Sequence, residues 1–158
     1  MTKAKQESIP ASRLWLVMAR AHGSMVSFIE GSLEAQGLGL SDFMVLEVLL
    51  HKGPLTISVI GEKVLLASAS MTSAIDRLEK RGLVLRRSCN SDRRIRLVEL
   101  TAAGKSFIEE IYARHEKDLE FLMAGLSVEE RRTMYEGLKK IGLAAKVAVP
   151  TEKCKTAV

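Results

Sequence analysis

The residues with the clearest chemical potential are cationic, and they are concentrated between Ser68 and Leu100. This segment holds eight lysines and arginines against four acidic residues, a net charge of +4, whereas all 158 residues carry +5. Such clustering indicates a polyanionic partner, because solubility alone does not require it. The alternative is a basic hairpin that only faces solvent. The cationic members are Arg77, Lys80, Arg81, Arg86, Arg87, Arg93, Arg94 and Arg96.

The same segment predicts a helix followed by a β-hairpin. The helix is expected from Ser68 to Arg81 and ends at Gly82. Two β-prone runs follow, Leu83–Arg87 and Ile95–Leu100, joined by an arginine-rich polar turn. A helix that precedes a basic hairpin is typical of a winged helix-turn-helix. That arrangement places the helix in a DNA major groove and the hairpin tip at the flanking backbone or minor groove.

Long amphipathic helices are predicted at both ends of the chain. The first has Ser12 as its N-cap and runs to about Gln36, and the last begins at a capping box formed by Ser127 and Glu130. A core of about 65 residues is too small to cover both apolar stripes, so a two-fold dimer built from both termini is the economical interpretation. The alternative is that these helices fold onto their own core.

Shorter elements are predicted between these arms. Helices are expected at Asp42–His51, Ile57–Leu65 and Ala102 to about Met123, with Leu55 as a minimal strand against the hairpin. The expected N-caps are Ser41, Thr56 and Thr101, whose hydroxyls accept from first-turn amides.

The predicted fold class is mainly α with a small β-hairpin. A winged helix-turn-helix core, residues 37–104, is flanked by long N- and C-terminal dimerisation helices, residues 11–36 and 105–149, in a single domain, residues 1–158. Two cysteines do not make a disulfide framework, no apolar run approaches a membrane span, and the N-terminus lacks the apolar centre of a signal peptide; a cytoplasmic location is expected. Only seven aromatic residues occur, which disfavours single-stranded or RNA ligands.

Catalysis and metal binding are not favoured by the sequence. The three histidines, His22, His51 and His115, fall on separate predicted helices, and no nucleophile–base arrangement or phosphate-binding glycine loop is evident. Histidines and cysteines also lack the paired spacing of a metal site. We therefore expect a protein that is not an enzyme and that has no cofactor.

Four short motifs occur in a characteristic order: Leu55–Thr56, Leu78–Val84, Asp92–Arg94 and Leu100–Gly104. With helical arms on both sides, the chain resembles the MarR family of bacterial winged helix-turn-helix transcription regulators over nearly its whole length. The resemblance implies a homodimer that binds double-stranded DNA with an inverted repeat, as a repressor often relieved by a small-molecule effector. A non-catalytic interaction scaffold is the alternative.

The resemblance also implies which residues meet DNA. Ser73 departs from the family, since many members carry a bulky basic residue there, and Arg77 is expected to meet phosphate. In the hairpin turn, Asp92 would orient Arg94 for the minor groove, with Arg93 at or near the tip; a local salt bridge of little value is the alternative. The recognition-helix candidates are Ser68, Ser70, Thr72 and Ser73, whose hydroxyls suit bases and phosphates.

An effector pocket is expected where the first, second and fifth helices meet the core. Its candidates, chosen by location, are Trp15, Met18, His22, Met44 and His115, although such residues are more often plain core. Cys89 lies beside Arg86 and Arg87, which would lower its pKa, so a redox-responsive regulator is an alternative. Peroxide-sensing relatives use a first-helix cysteine that this chain lacks.

Overall fold

The computed structural model describes residues 8–64, 68–88 and 96–148, with side chains throughout except at residues 68–70. The predicted fold class, mainly α with a winged helix-turn-helix core and a small hairpin, is confirmed. The helices of the described ranges are α1 (Ala11–Glu34), α2 (Leu40–Lys52), α3 (Ile57–Lys63), α4 (Ser68–Lys80), α5 (Ala102–Leu122) and α6 (Val128–Ala148); the strands are β1 (Leu55–Thr56), β2 (Val84–Ser88) and β3 (Arg96–Leu100).

The strands form one antiparallel sheet in the order β1-β3-β2. Leu55 pairs with Val98, which confirms the minimal strand predicted before α3. Across the hairpin, Arg86 is opposite Val98 and Ser88 is opposite Arg96. Gly82 has a φ of 69° and ends the turn after α4, because glycine adopts this left-handed conformation without a Cβ penalty.

Two of the predicted helix caps are wrong. α1 begins one residue before Ser12, and the carbonyl of Pro10 accepts from the amides of Arg13 and Leu14 at 3.0 Å each. α2 has Gly39 at its N-cap, so Ser41 lies inside the first turn. In both cases the helix starts upstream of the predicted capping hydroxyl.

The other predicted caps are confirmed. Thr56 Oγ1 accepts from the Val59 amide at 3.3 Å. Thr101 caps α5, as described below. Ser127 and Glu130 form the expected capping box before α6: the Ser127 amide donates to the Glu130 carboxylate at 2.8 Å, and the Glu130 amide donates to Ser127 Oγ at 3.3 Å. The Ser127 hydroxyl also donates to the Glu130 carboxylate at 2.7 Å, and this hydrogen bond, together with the one from the Ser127 amide, lowers the pKa of Glu130.

The chain divides into two compact units, Met1–Leu119 and Glu120–Val158. In the first unit, α4 packs against α2 and α3, and β2 packs against α4. The core residues are Leu33, Leu38, Phe43, Val45, Leu46, Leu49, Ile60, Val64, Met71, Ala74, Ile75, Leu78, Leu83, Val84, Val98, Ile108 and Ile111. In the second unit, no α6 residue is buried, although apolar side chains recur along the helix.

The junction of the hairpin with α5 is a close backbone contact at Leu83. The Thr101 amide donates to the Leu83 carbonyl at 3.1 Å, and Thr101 Oγ1 donates to the Gly82 carbonyl at 2.7 Å while accepting from the Gly104 amide at 2.9 Å. A Cβ built on Gly104 would lie 1.8 Å from the Leu83 carbonyl oxygen. Only glycine fits there, since the obstacle is backbone.

We expect Gly104→Ala to lower the free energy of unfolding by about 3 kcal/mol, because the backbone of the junction must shift to admit a methyl group. Gly23→Ala is the matched control: Gly23 is also helical, but an added Cβ meets nothing within 4 Å. The control should gain about 0.5–1 kcal/mol from its higher helix propensity. Urea unfolding followed by circular dichroism measures both; equal stability of the two variants would contradict the junction's role.

Candidate nucleic-acid interface

The burial pattern of α4 divides it into two faces. Met71, Ala74, Ile75 and Leu78 are buried, at the three- and four-residue intervals of one helical stripe. Thr72 and Ser73 lie outside this stripe and are exposed. Ser68 and Ser70 belong to the first turn of the same helix. Packing therefore fixes which side of α4 is available to a ligand.

α3 and α4 contact each other at Gly61 and Met71. A Cβ added to Gly61 on α3 would lie 3.8 Å from Met71 Cγ on α4, which is ordinary contact. Met71 is 1% exposed and Ile60 is fully buried beside this point. Gly61 therefore lies where the two helices of the motif contact each other.

Arg77 binds a buried carboxylate at the start of α2. Its Nη2 lies 2.5 Å from Asp42 Oδ1 and its Nε lies 3.3 Å from Oδ2, so the pair is bidentate; Nη2 also donates to Ser41 Oγ at 3.2 Å. The Asp42 side chain is 7% exposed and that of Arg77 is 52% exposed. The hydrogen bond with Asp42 raises the pKa of Arg77. Sequence analysis missed this pair, since 35 positions separate its members.

Arg86, on β2, bridges two carboxylates of α4. Its Nη2 lies 2.5 Å from Asp76 Oδ1, and its Nη1 donates to Glu79. The hydrogen bond with Asp76 is the main reason that the pKa of Arg86 is raised. This contact ties the first strand of the hairpin to α4. No local sequence signal could have revealed it.

Arg87 and Arg81 point to other partners. Arg87 Nε lies 2.5 Å from Glu99 on the adjacent strand β3. Arg81 Nη1 donates to the Gly37 carbonyl at 3.1 Å, and its guanidinium lies 5.3 Å from the centre of the Phe107 ring. Arg81, the residue after α4, therefore contacts both the α1–α2 turn and α5.

The turn of the hairpin carries several predicted site residues. Asp92, Arg93, Arg94 and Cys89 lie outside the described residues, so their roles stay predictions. The described arms end at Ser88 and resume at Arg96.

Sequence comparison decides the family. A model described as the MarR family matches residues 38–95. The HTH-type transcriptional regulator MhqR of Bacillus subtilis is 35% identical over 134 residues, which cover 85% of this chain and 92% of that protein. The chain belongs to the MarR family. It is a helix-turn-helix transcription regulator, as the resemblance implied.

Solved structures share the fold of this MarR-family chain. A mutant of MarR from E. coli, complexed with operator DNA, has a TM-score of 0.72 and 22% identity, and the match covers 81% of this chain and 92% of that one. BpsR of Bordetella bronchiseptica, whose DNA binding is regulated by 6-hydroxynicotinic acid, has a TM-score of 0.74 and 24% identity over 86% and 98% of the two chains.

The effector candidates of this MarR-family chain have different environments. Trp15 and His22 are exposed on α1, whereas Met18 is half-buried. Met44 packs against the core, and the His115 ring lies 4.8 Å from the Phe43 ring. Burial raises the pKa of Tyr112, which is near His115. The effector role of all five candidates stays a prediction.

The described residues contain no group of three or more histidine, cysteine, aspartate or glutamate side chains placed to hold a metal ion. Within the same ranges, none of the helices combines the length and the apolar character needed to cross a membrane.

We expect Arg77→Ala to lower the free energy of unfolding by about 1–2 kcal/mol, because Asp42 would remain buried without its partner. The loss is smaller than for a fully buried pair, since half of the Arg77 side chain already meets water. Arg20→Ala, at an exposed site on α1, is the control and should change stability by less than about 0.5 kcal/mol. Urea unfolding at neutral pH measures both variants, and equal stabilities would show that the Asp42 pair contributes nothing.

Proposed function

We propose that this chain is a homodimer that binds double-stranded DNA at an inverted repeat and represses transcription until a small-molecule effector releases it. The observation that carries this proposal is the orientation of α4, whose buried stripe leaves Thr72 and Ser73 exposed. In a winged helix-turn-helix, the second helix of the motif enters the major groove and its first turns reach base edges. α4 occupies that position.

The proposed base contacts come from uncharged side chains. Ser68, Ser70, Thr72 and Ser73 belong to the first two turns of α4, and hydroxyl groups make short, direction-dependent bonds to base edges. Arg77 follows, with half of its side chain exposed beyond the Asp42 pair. We assign it to a phosphate of the backbone, which positions the helix without reading sequence.

The proposed wing is the hairpin of β2 and β3. Ser88 pairs with Arg96 where the described arms end, so the turn between them carries Asp92, Arg93 and Arg94. We assign Arg94 to the minor groove, with Asp92 holding its guanidinium extended and Arg93 at or near the tip. Narrow minor grooves attract arginine through their enhanced negative potential.

The proposed dimer is formed by both terminal arms, residues 11–36 and 105–149. On α1, Leu14 and Val17 are 44% and 58% exposed; on α6, Leu138 and Ile141 are 46% and 44% exposed. Apolar stripes on helices of this length favour burial against a partner helix. A second copy of the chain supplies such helices, and two-fold symmetry then presents two copies of α4 to an inverted repeat.

The proposed effector region lies on α1, α2 and α5. Trp15, Met18, His22, Met44 and His115 mark the region assigned to the effector; the ligand regulation of BpsR is consistent with this idea without identifying a ligand. MhqR is a transcription regulator, and we propose that this chain acts in the cytoplasm without catalytic activity or a cofactor.

Selection from random duplexes should enrich an inverted repeat with half-site centres about one helical turn, 10–10.5 bp, apart. Binding to the enriched duplex should weaken steeply with salt, since each neutralised phosphate adds about 0.9 to the slope of log K against log salt. Enrichment of no inverted repeat, with flat salt dependence, would favour an interaction scaffold. Turnover of a small molecule that wing substitutions leave unchanged would favour an enzyme.

Asp92→Ala separates an orienting role from simple charge. Removing an acidic residue should tighten DNA binding if the wing is only a basic patch, but should weaken binding if Asp92 positions Arg94. We expect weakening, in the same direction as for Arg94→Ala, whose salt slope should also be shallower by about one unit. Titration of the enriched duplex at two salt concentrations decides between them: tighter binding at both would reject the orienting role.

A further inference from the structure

Two carboxylates lie on the recognition helix close to the surface assigned to DNA. Asp76 is four residues after Thr72 and three after Ser73, so it shares their exposed face of α4. The side chains of Asp76 and Glu79 are 50% and 38% exposed. Unpaired acids at this place would repel phosphates as the helix enters a groove.

Arg86 occupies the position from which both acids can be neutralised. Val84 is buried, and side chains two residues apart point to the same side of a strand, so Arg86 is directed towards α4. Its Nη2 binds Asp76 Oδ1 at 2.5 Å and its Nη1 binds Glu79. The Arg86 side chain is only 23% exposed, which leaves little of it for a phosphate.

We infer that Arg86 is a positioning residue for DNA binding, which neutralises Asp76 and Glu79 and fixes the base of the wing to the recognition helix. The helix and the wing then meet DNA as one surface whose acids are already paired. The inference rests on the proposed function, because it assumes that the exposed face of α4 approaches DNA.

Arg87 provides a matched control on the same strand. It adjoins Arg86 in sequence, carries the same charge and also has one carboxylate within 2.5 Å, but that partner is Glu99 of β3. Arg87→Ala therefore removes one positive charge from the hairpin without unpairing an acid of α4. If Arg86→Ala lowers DNA affinity more than Arg87→Ala does, the difference is due to the contact of Arg86 with the recognition helix.

The test measures binding of the labelled duplex enriched by selection, by fluorescence anisotropy at two salt concentrations. Arg86→Ala should bind about tenfold more weakly than Arg87→Ala, the coupling typical of one salt-bridge network. In a background of Asp76→Asn and Glu79→Gln, the two arginine variants should bind equally, since Arg86 then has no acids to pair. Arg86→Lys should fall between wild type and Arg86→Ala, because lysine keeps the charge but lacks the fork that reaches both acids.

Three results would overturn the inference. If Arg86→Ala and Arg87→Ala lower DNA affinity equally, Arg86 contributes only its charge. If Arg86→Ala lowers affinity just as much in the background of Asp76→Asn and Glu79→Gln, Arg86 contacts DNA directly. Thermal unfolding accompanies each titration; if Arg86→Ala does not fold, Arg86→Lys carries the comparison, and wild-type affinity for it would reject the bridging role. Failure of the selection to enrich any duplex that the wild type binds would instead reject the proposed function itself.

Discussion

The buried stripe of α4 is the constraint on which the interface depends. Met71, Ala74, Ile75 and Leu78 are each 1% exposed or less, and close packing of such a stripe allows the helix one rotation about its axis. That rotation turns Thr72 and Ser73 outward. The same stripe packs α4 against α2 and α3 in the helix-turn-helix. Specificity for a base sequence would therefore depend on buried hydrophobic contacts, because they orient the face that is proposed to contact DNA.

Arginine–carboxylate pairs add a second level of organisation. Arg77, Arg86 and Arg87 belong to the cationic cluster of the sequence, yet each has a carboxylate partner in the described chain. Arg86 and Arg87 are paired with acids that the net charge of the segment already counts, whereas Arg77 keeps the exposed half of its side chain for a phosphate. Part of the cationic charge also orients α4 against α2 and the wing against α4, which reduces the reorganisation needed when the surface meets a polyanion.

Local signals predicted the fold well, and long-range contacts were beyond them. Thr56 and Thr101 act as caps because the relevant amides lie within three residues, and Gly82 ends its turn through its own φ. Ser12 and Ser41 failed because each helix begins one residue earlier, at positions with no distinctive cap. The Asp42–Arg77 pair joins residues 35 apart, and its geometry exists only after α2 and α4 have packed. Of the candidate site, the hydroxyl residues of α4 were implied by the family resemblance, whereas the pairing of Arg86 with Asp76 and Glu79 was not predicted.

The proposed interface requires that the exposed face of α4 lie in the DNA groove. Tethering an iron–EDTA cleavage reagent to Ser73→Cys, in a chain whose native cysteines are replaced by Cys89→Ser and Cys154→Ser, tests it directly. Two clusters of strand cleavage are expected, symmetric about the centre of the enriched duplex and about one helical turn apart. An uncut duplex, or equal cleavage from the same reagent at Ser127→Cys before α6, would contradict it.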